Sequence, residues 1–274
     1  MKLSPSALNT WMNCRRQYFY QYVERKPTSK AKAHFSLGNS LHAALRDYAM
    51  PLDTPLDAPR TPAELLEKNW QTAGYRDADM SNTVKSVAHV WLEQYVLNEG
   101  EFSPVGVERS VEYPRNGYIL NGRIDRIDRR VIDGQEQLVI VDYKTGKGVP
   151  DEAEARGSLA LAFYAVAAWR LLKTPCHRVE LHHLPTGTRA VATHSDESLA
   201  RHGARLDALA LEVIEARERH SATAAVDMFE PTPSALCRWC DFRDFCAEGQ
   251  LQGDAVEPWQ GVLDVMAEAE LLGE

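Results

Sequence analysis

The sequence lacks the segments that would place it in a membrane or outside the cell. No apolar run approaches the roughly 18 residues that a membrane-spanning helix needs. The opening MKLSPSALNTWMNC has no apolar signal-peptide core, so we expect a cytoplasmic protein without a membrane partner. Internal repeats, low-complexity segments and a phosphate-binding loop are also missing, so nothing indicates an ATPase motor.

Cysteine is scarce, with five residues in 274, and four of the five are unusually arranged. Cys14 lies near the start, whereas Cys237, Cys240 and Cys246 form C-x2-C-x5-C in the run CRWCDFRDFC. In a reducing compartment such cysteines bind metals more often than they form disulfides. Structural zinc sites usually draw ligands in local pairs and iron–sulfur spacings vary, so both kinds of centre stay open. Cys176 has no partner at a motif spacing, which predicts a buried thiol.

Charge is unevenly distributed along the chain. The formal net charge is −8, which by itself argues against nucleic-acid binding. Residues 251–274 carry six acids and no base, however, so the rest of the chain is nearly neutral. Residues 1–47 hold eight bases against two acids, and such a basic region is compatible with a phosphate backbone. An ordinary solvated charged face would give the same pattern.

The apolar periodicity predicts an α/β or α+β fold with a central mixed sheet. The first helix begins after Ser4, which can cap it with Pro5 at the first position. Further helices are expected at about 38–49, 62–73, 80–98, 153–173 and 196–219, and strands at about 105–113, 117–130, 137–143, 178–184 and 188–193. The proline-rich run PLDTPLDAPRTP predicts a surface loop. One domain with a helical insertion is favoured over two independent domains.

Aromatic and basic residues are interleaved in the first helix. Arg15 and Arg16 stand among several rings, which are Trp11, Tyr18, Phe19, Tyr20 and Tyr22. Cations beside aromatic rings can bind unpaired nucleic acid, so Arg15 and Arg16 are candidate DNA-binding residues. Aromatic residues at a helical spacing more often pack a helix into the core, and we expect several of these rings to do so.

An Asp-x-Lys pair ends the strand-like run LVIVDYKTGK. Residues two apart on a strand point to the same face, so Asp142 and Lys144 project together and Tyr143 points away. The carboxylate can hold a hard cation, and the lysine can position water or offset developing negative charge. A surface ion pair would give the same pattern.

Two more acids interrupt the preceding strand, NGRIDRIDRR. Acids are depleted in strands, so Asp125 and Asp128 need a reason to be there. They lie three positions apart, and therefore only one can face the same side as Asp142. We expect the other to form a salt bridge with Arg126 or Arg129.

Several motifs together resemble the RecB-type branch of the PD-(D/E)xK nuclease superfamily. They are SPSALNTWMNCRRQYFY, GNSLHAALRDY, GRIDRID and VDYKTG. The four cysteines resemble the iron–sulfur subgroup, which includes the CRISPR-associated exonucleases of the Cas-four family and the AddB nuclease domain. The resemblance spans residues 4–246.

The resemblance implies a fold and a cluster. The fold is an α/β, restriction-endonuclease-like core, with a central mixed sheet flanked by helices and a helical N-terminal part. Residues 1–250 would form one nuclease domain with a helical insertion at about 38–100, followed by an acidic tail at 251–274. A structural [4Fe–4S] cluster would join Cys14 to the loop of Cys237, Cys240 and Cys246.

The resemblance also implies the site residues. The metal ligands would be His42, Asp125, Asp142 and the backbone carbonyl of Tyr143. The catalytic set would be Lys144, Asp125, Asp142, Tyr164 and, as a weaker match, Glu108, with Tyr164 also contacting DNA. An imidazole ligand suits Mn²⁺ better than Mg²⁺, and both metals are plausible. Without the other motifs, His42 would be interpreted as a core histidine on an amphipathic helix.

One position departs from the family. Its members carry Gln-x-x-x-Tyr on the helix after the Asp-x-Lys strand; here Tyr164 fits, but Ala160 replaces the glutamine. The expected function is a Mg²⁺- or Mn²⁺-dependent deoxyribonuclease, an exonuclease on single strands or ends, in DNA repair, recombination or CRISPR adaptation. The alternative is a weakened DNA-end-binding or scaffold component of a helicase–nuclease complex.

Overall fold

The structure, a computed structural model, describes residues 1–28, 31–50, 61–100, 104–115 and 117–272, with side chains to residue 267. The chain divides into two compact units. The first contains Met1–Lys30, Glu112–Gly122 and Asp196–Glu257, and the second contains Ala31–Val111, Arg123–Ser195 and Pro258–Glu274. The prediction of one nuclease domain over 1–250 stays a prediction. Most of the expected proline-rich loop lies outside the described residues.

The strands form a mixed sheet, as the sequence predicts. They are β1 (Lys2–Leu3), β2 (Gly106–Arg115), β3 (Tyr118–Ile132), β4 (Gln135–Lys144), β5 (Arg178–His183) and β6 (Thr188–Thr193). In the second unit, β3 pairs antiparallel with β4, β4 parallel with β5, and β5 antiparallel with β6. In the first unit, β1 runs parallel to the start of β3.

The helices follow the predicted order with small shifts. They are α1 (Pro5–Asn13), α2 (Arg15–Tyr18), α3 (Ala33–Ala49), α4 (Pro62–Asn69), α5 (Ala78–Glu99), α6 (Glu152–Gly157), α7 (Leu159–Leu172), α8 (Asp196–Thr223), α9 (Ala247–Gln250) and α10 (Leu263–Leu272). The single helix expected at 153–173 is two helices, because Ser158 leaves the helical conformation and caps α7 through the backbone N–H of Leu161. No helix in the described ranges is long and apolar enough to cross a bilayer.

The first unit has an aromatic core. Trp11 and Tyr18 are each 1% exposed and meet edge to face, with ring centroids 5.4 Å apart. Trp11 also meets the ring of Phe229, which follows α8 in the chain, at 5.8 Å. Ser4 caps α1 with Pro5 in its first turn, as predicted. The expectation that these rings pack the core is confirmed.

The second unit is built around β4. Its residues Leu138, Val139, Ile140 and Val141 are fully buried, and a strand buried on both faces needs cover on each side. Helices α3 and α5 share a hydrophobic cluster with Val139 and Val141, and α7 contacts β4 and β5. The strand therefore delivers its last residues, Asp142 to Lys144, from a rigid base to the cleft described next.

Candidate active site

A cleft of about 950 Å³ opens in the second unit at the end of β4. Its lining includes His42, Glu108, Asp125, Asp142, Lys144 and Tyr164, with Tyr143 beside them. These residues come from α3, β2, β3, β4 and α7, so five segments distant in sequence contribute to one site. The structure thus brings together the metal and catalytic residues predicted from the sequence, while their roles stay predictions.

The register of the sheet explains which aspartate reaches the cleft. Arg126 pairs with Val141 in the antiparallel ladder, so Asp125 and Asp142 lie one step further along on the two strands. Residues opposite each other in such a ladder project to the same face. Asp128 is three positions from Asp125 and therefore projects to the other face.

His42 and Asp125 meet around the backbone of Tyr143. The Nδ1 atom of His42 lies 3.3 Å from Oδ2 of Asp125, and its Nε2 lies 3.2 Å from the Tyr143 carbonyl oxygen. The Tyr143 N–H donates to the same Asp125 oxygen at 3.0 Å. An imidazole, a carboxylate and a carbonyl thus converge at one point.

Glu108 completes this group. One ligand atom each of His42, Glu108 and Asp125 lies within 4.8 Å of the others. Glu108 has φ 45°, a left-handed conformation that is costly for a non-glycine residue inside a strand. Its carboxylate also lies 2.7 Å from Nε of Arg123. Strained backbone of this kind concentrates at functional sites.

Asp142 and Lys144 form the second half of the site. Nζ of Lys144 lies 2.7 Å from Oδ2 of Asp142, as expected for neighbours on one strand face. Burial opposes the charge of Lys144, but the Asp142 carboxylate raises the lysine pKa above its ordinary value. The lysine is therefore a fixed cation at the edge of the acidic group.

The acids of the cleft lie close enough to influence one another's protonation. Burial and the charge of Asp125 raise the pKa values of both Glu108 and Asp142. Burial opposes a charged imidazole at His42, yet Asp125 raises the His42 pKa overall. A divalent cation would relieve this repulsion, and carboxylate, imidazole and carbonyl ligands fit one. The residues present therefore suit a divalent-metal site.

Tyr164 lines the same cleft from α7. Burial raises its pKa to about 12, so its hydroxyl stays protonated and able to donate a hydrogen bond. Ala160, one turn earlier, supplies no polar group where the family has glutamine. The departure noted in the sequence is thus a real loss of one donor and acceptor.

Sequence reasoning missed the cations around the acids. Arg46, Arg123 and Lys147 line the cleft together with Lys144. Arg46 could have been found from its position one helical turn beyond His42, and Arg123 from its place in the GRIDRID motif. Lys147 follows a turn whose path the sequence does not define. Positive groups around an acidic centre suit a phosphate backbone that passes a metal site.

The first unit gathers the four cysteines around one small cavity, lined by Cys14, Cys237, Cys240 and Cys246. Backbone N–H groups donate to Cys14 from Gln17 and Thr232, and to Cys237 from Ser234. Burial raises the pKa values of Cys240 and Cys246. In the part of the chain that the structure describes, no three of these sulfurs come within 4.8 Å of one another. An iron–sulfur staple is therefore not established by the geometry. Cys176 is buried, as predicted.

Arg15 and Arg16 have partners within the first unit. Arg15 lies 2.7 Å from the carboxylate of Glu212 and stacks over Trp11 at 4.7 Å. Arg16 donates to the Phe229 carbonyl at 2.8 Å. Both side chains thus support the aromatic core, and their DNA-binding role stays a prediction.

A model of the PD-(D/E)XK nuclease superfamily matches residues 2–247, and the chain belongs to this superfamily. It is similar to one component of the ATP-dependent helicase/deoxyribonuclease of Oceanobacillus iheyensis, at 27% identity over 203 residues. That match covers 60% of this chain and 17% of the relative, so the chain spans only a minor part of that protein's length. The solved structure of SSO0001 aligns over 90% of this chain and 85% of its own, with 14% identity and a TM-score of 0.39, a likeness too distant to argue from.

Proposed function

We propose that the protein is a divalent-metal-dependent deoxyribonuclease. The observation that carries the proposal is the convergence of His42, Glu108 and Asp125 beside the Asp142–Lys144 pair. Donors of this kind hold a hard or borderline cation, and the imidazole gives some preference for Mn²⁺ over Mg²⁺.

The proposed reaction is hydrolysis of a phosphodiester. When bound, the cation lowers the pKa of a water molecule and polarises the scissile phosphate. Lys144 stabilises negative charge as it develops on the phosphate oxygens. The water oxygen bonds to phosphorus and its proton passes to solvent; the bond from phosphorus to the leaving oxygen breaks, and that oxygen takes up a proton from solvent. No side chain forms a covalent intermediate.

DNA, as single strands or ends, is the proposed substrate. Cations at the rim of the cleft, Arg46, Arg123 and Lys147, can bind phosphates on either side of the scissile one. The Oceanobacillus relative is named as part of a helicase/deoxyribonuclease. This supports DNA as substrate and a helicase as partner, in repair or recombination, with CRISPR adaptation as the second pathway.

For the cysteine cavity we propose a structural [4Fe–4S] cluster. Support comes from the four cysteines that line one small cavity, where backbone N–H groups donate to the sulfurs of Cys14 and Cys237. Zinc is the alternative ion. Metal analysis of the purified protein should find iron, and Cys14→Ser should lose it while the matched Cys176→Ser keeps it. Zinc without iron would reject the cluster.

A labelled single-strand degradation assay tests the enzyme itself. With Mn²⁺ or Mg²⁺ the native chain should degrade DNA, and a chelator should stop it. Lys144→Ala should lose activity by about 1000-fold, the upper range for removing one transition-state donor. Lys85→Ala, a lysine outside the cleft, serves as the matched control.

The second candidate function is a DNA-end-binding or scaffold component of a larger complex, which Ala160 favours because the family's glutamine is lost. If the native chain and Lys144→Ala bind DNA equally and neither cleaves it, the enzyme proposal is wrong and this one stands.

A further inference from the structure

One exposed aromatic residue stands in the cleft without a role in the proposed chemistry. Phe35 is 58% exposed and lines the same cleft as the metal ligands. Among the described residues, no other exposed large apolar side chain lines it. We propose that Phe35 is a stacking platform for an unpaired base, and that it makes the cleft prefer single-stranded over duplex DNA. The inference rests on the proposed nuclease function.

Helix α3 carries Phe35 on the same face as His42. Phe35, Asn39, His42 and Arg46 all line the cleft, at steps of four, three and four residues along α3. That spacing puts them on one face of the helix. Phe35 precedes His42 by two turns, about 10 Å along the axis at 1.5 Å per residue. This distance corresponds to about three stacked nucleotides at 3.4 Å each. The ring would therefore stack on a base about three nucleotides from the phosphate at the metal ligands.

A histidine ring and a lysine lie next to the Phe35 ring. The His34 ring lies 4.3 Å from it, centroid to centroid. His34 is itself held closely, because a Cβ at Gly261 would lie only 2.5 Å from its Nδ1. Nζ of Lys32 lies 5.9 Å from the Phe35 centroid. Aromatic rings beside cations are the usual means of binding unpaired strands.

Exposure alone would not support this role, because single apolar side chains are common on protein surfaces. Leu97 and Leu251 are more exposed than Phe35 and lie outside the cleft. Phe35 differs from these two leucines because it lies in the cleft that holds the metal ligands. In a duplex the faces of the bases are covered by their neighbours, so a stacking surface at this point favours a strand whose bases are free.

Kinetics with two substrates test the proposal. Phe35→Ala should raise KM for a single-stranded oligonucleotide about tenfold, in the range measured for loss of one stacked base. Its kcat/KM on a blunt duplex should stay the same, and Phe35→Trp should restore the single-strand KM. Leu97→Ala, an exposed residue of the same unit outside the cleft, is the matched control. Equal losses on both substrates, or no loss on either, would overturn the proposal.

A binding measurement keeps this test separate from that of the nuclease function. In the Lys144→Ala background with Mg²⁺, a single strand carrying 2-aminopurine should lose fluorescence on binding, because stacking quenches the base. The additional change Phe35→Ala should abolish this quench at the position nearest the ring. If the native chain cleaves nothing but the quench depends on Phe35, only the nuclease proposal fails. A quench that is unchanged by Phe35→Ala shows that other groups cover the bases, and the stacking role is then wrong.

Discussion

The second unit holds two groups of acids that share strand β3 and whose pKa values shift in opposite directions. Asp125 belongs to the acidic cleft, and Asp128, three residues later, belongs to a buried ion-pair network on the other face of the sheet. Asp128 accepts two hydrogen bonds from Arg126, each 2.6 Å long, and lies 2.6 Å from Arg130. The prediction that one of the two aspartates forms a salt bridge with Arg126 or Arg129 is confirmed by the pair of Asp128 and Arg126.

The two groups shift acid pKa values in opposite directions. In the network, burial alone would raise the pKa of Glu180, but hydrogen bonds and charges from His182, Arg130 and Arg178 lower it to about 2. In the cleft, burial and like charge raise the pKa values of Glu108 and Asp142. Acids whose partners lower their pKa stabilise the fold in the charged form, whereas acids whose pKa is raised by burial and by a neighbouring carboxylate suit the binding of a cation.

The largest expected effect on stability comes from breaking the network. Asp128→Asn leaves the buried Arg126 without its bidentate partner, which should cost about 4 kcal/mol of unfolding free energy. The melting temperature should fall by roughly 10 °C. At low temperature, where the variant is folded by circular dichroism, kcat should stay within a factor of about three of the native value. A loss of activity without a loss of stability would remove the distinction between the two groups.

Acid titration of stability gives the next largest effect. The folded-state pKa of Glu180, about 2, lies below its ordinary value of 4.5. Its charge therefore stabilises the fold above about pH 4.5, and this contribution is lost as the pH falls towards 2. The shift corresponds to about 3 kcal/mol. Urea unfolding from pH 7 to pH 3 should show a weaker pH dependence in Glu180→Gln than in the native chain. Parallel curves would mean that Glu180 is not stabilised by its partners.

A smaller energetic effect, but a clear loss of function, is expected in the cleft. Glu108→Gln should lower kcat by about 100-fold, because one charged group of the metal site is lost. Its melting temperature should be unchanged or higher, because the repulsion between Glu108 and the Asp125 carboxylate is removed. Glu136→Gln, on an exposed acid of β4, is the matched control. A destabilised but fully active variant would assign Glu108 to the structural acids.

The smallest effect belongs to an exposed pair at the rim of the cleft. Asp264 lies 3.0 Å from Nζ of Lys147, with both side chains more than half exposed. Asp264→Asn should free Lys147 for phosphate and lower KM for DNA by less than about threefold. The difference should vanish at high salt, because exposed charges are then screened. A larger change that persists in salt would mean that Asp264 belongs to the site itself.

Local patterns predicted the elements of the fold, and the two-residue period of a strand predicted that only one of Asp125 and Asp128 faces the side of Asp142. The resemblance to the nuclease family selected Asp125. The same reasoning could not find the left-handed backbone of Glu108, because that conformation is imposed by neighbours on other segments. Phe35 and Lys147 were missed for a similar reason. Their role depends on a cleft lined by segments that are distant in sequence, and no single stretch of sequence defines it.

The assignment of the cleft as the metal site is tested by Mn²⁺ titration followed by electron paramagnetic resonance. The titration compares the native chain with Asp125→Asn and Asp128→Asn. The native chain should bind Mn²⁺ at one site. Its affinity should fall at least about tenfold in Asp125→Asn, as for loss of a metal-site partner, and stay unchanged in folded Asp128→Asn. Equal affinity in all three proteins, or a loss confined to Asp128→Asn, would contradict the assignment of the cleft as the metal site.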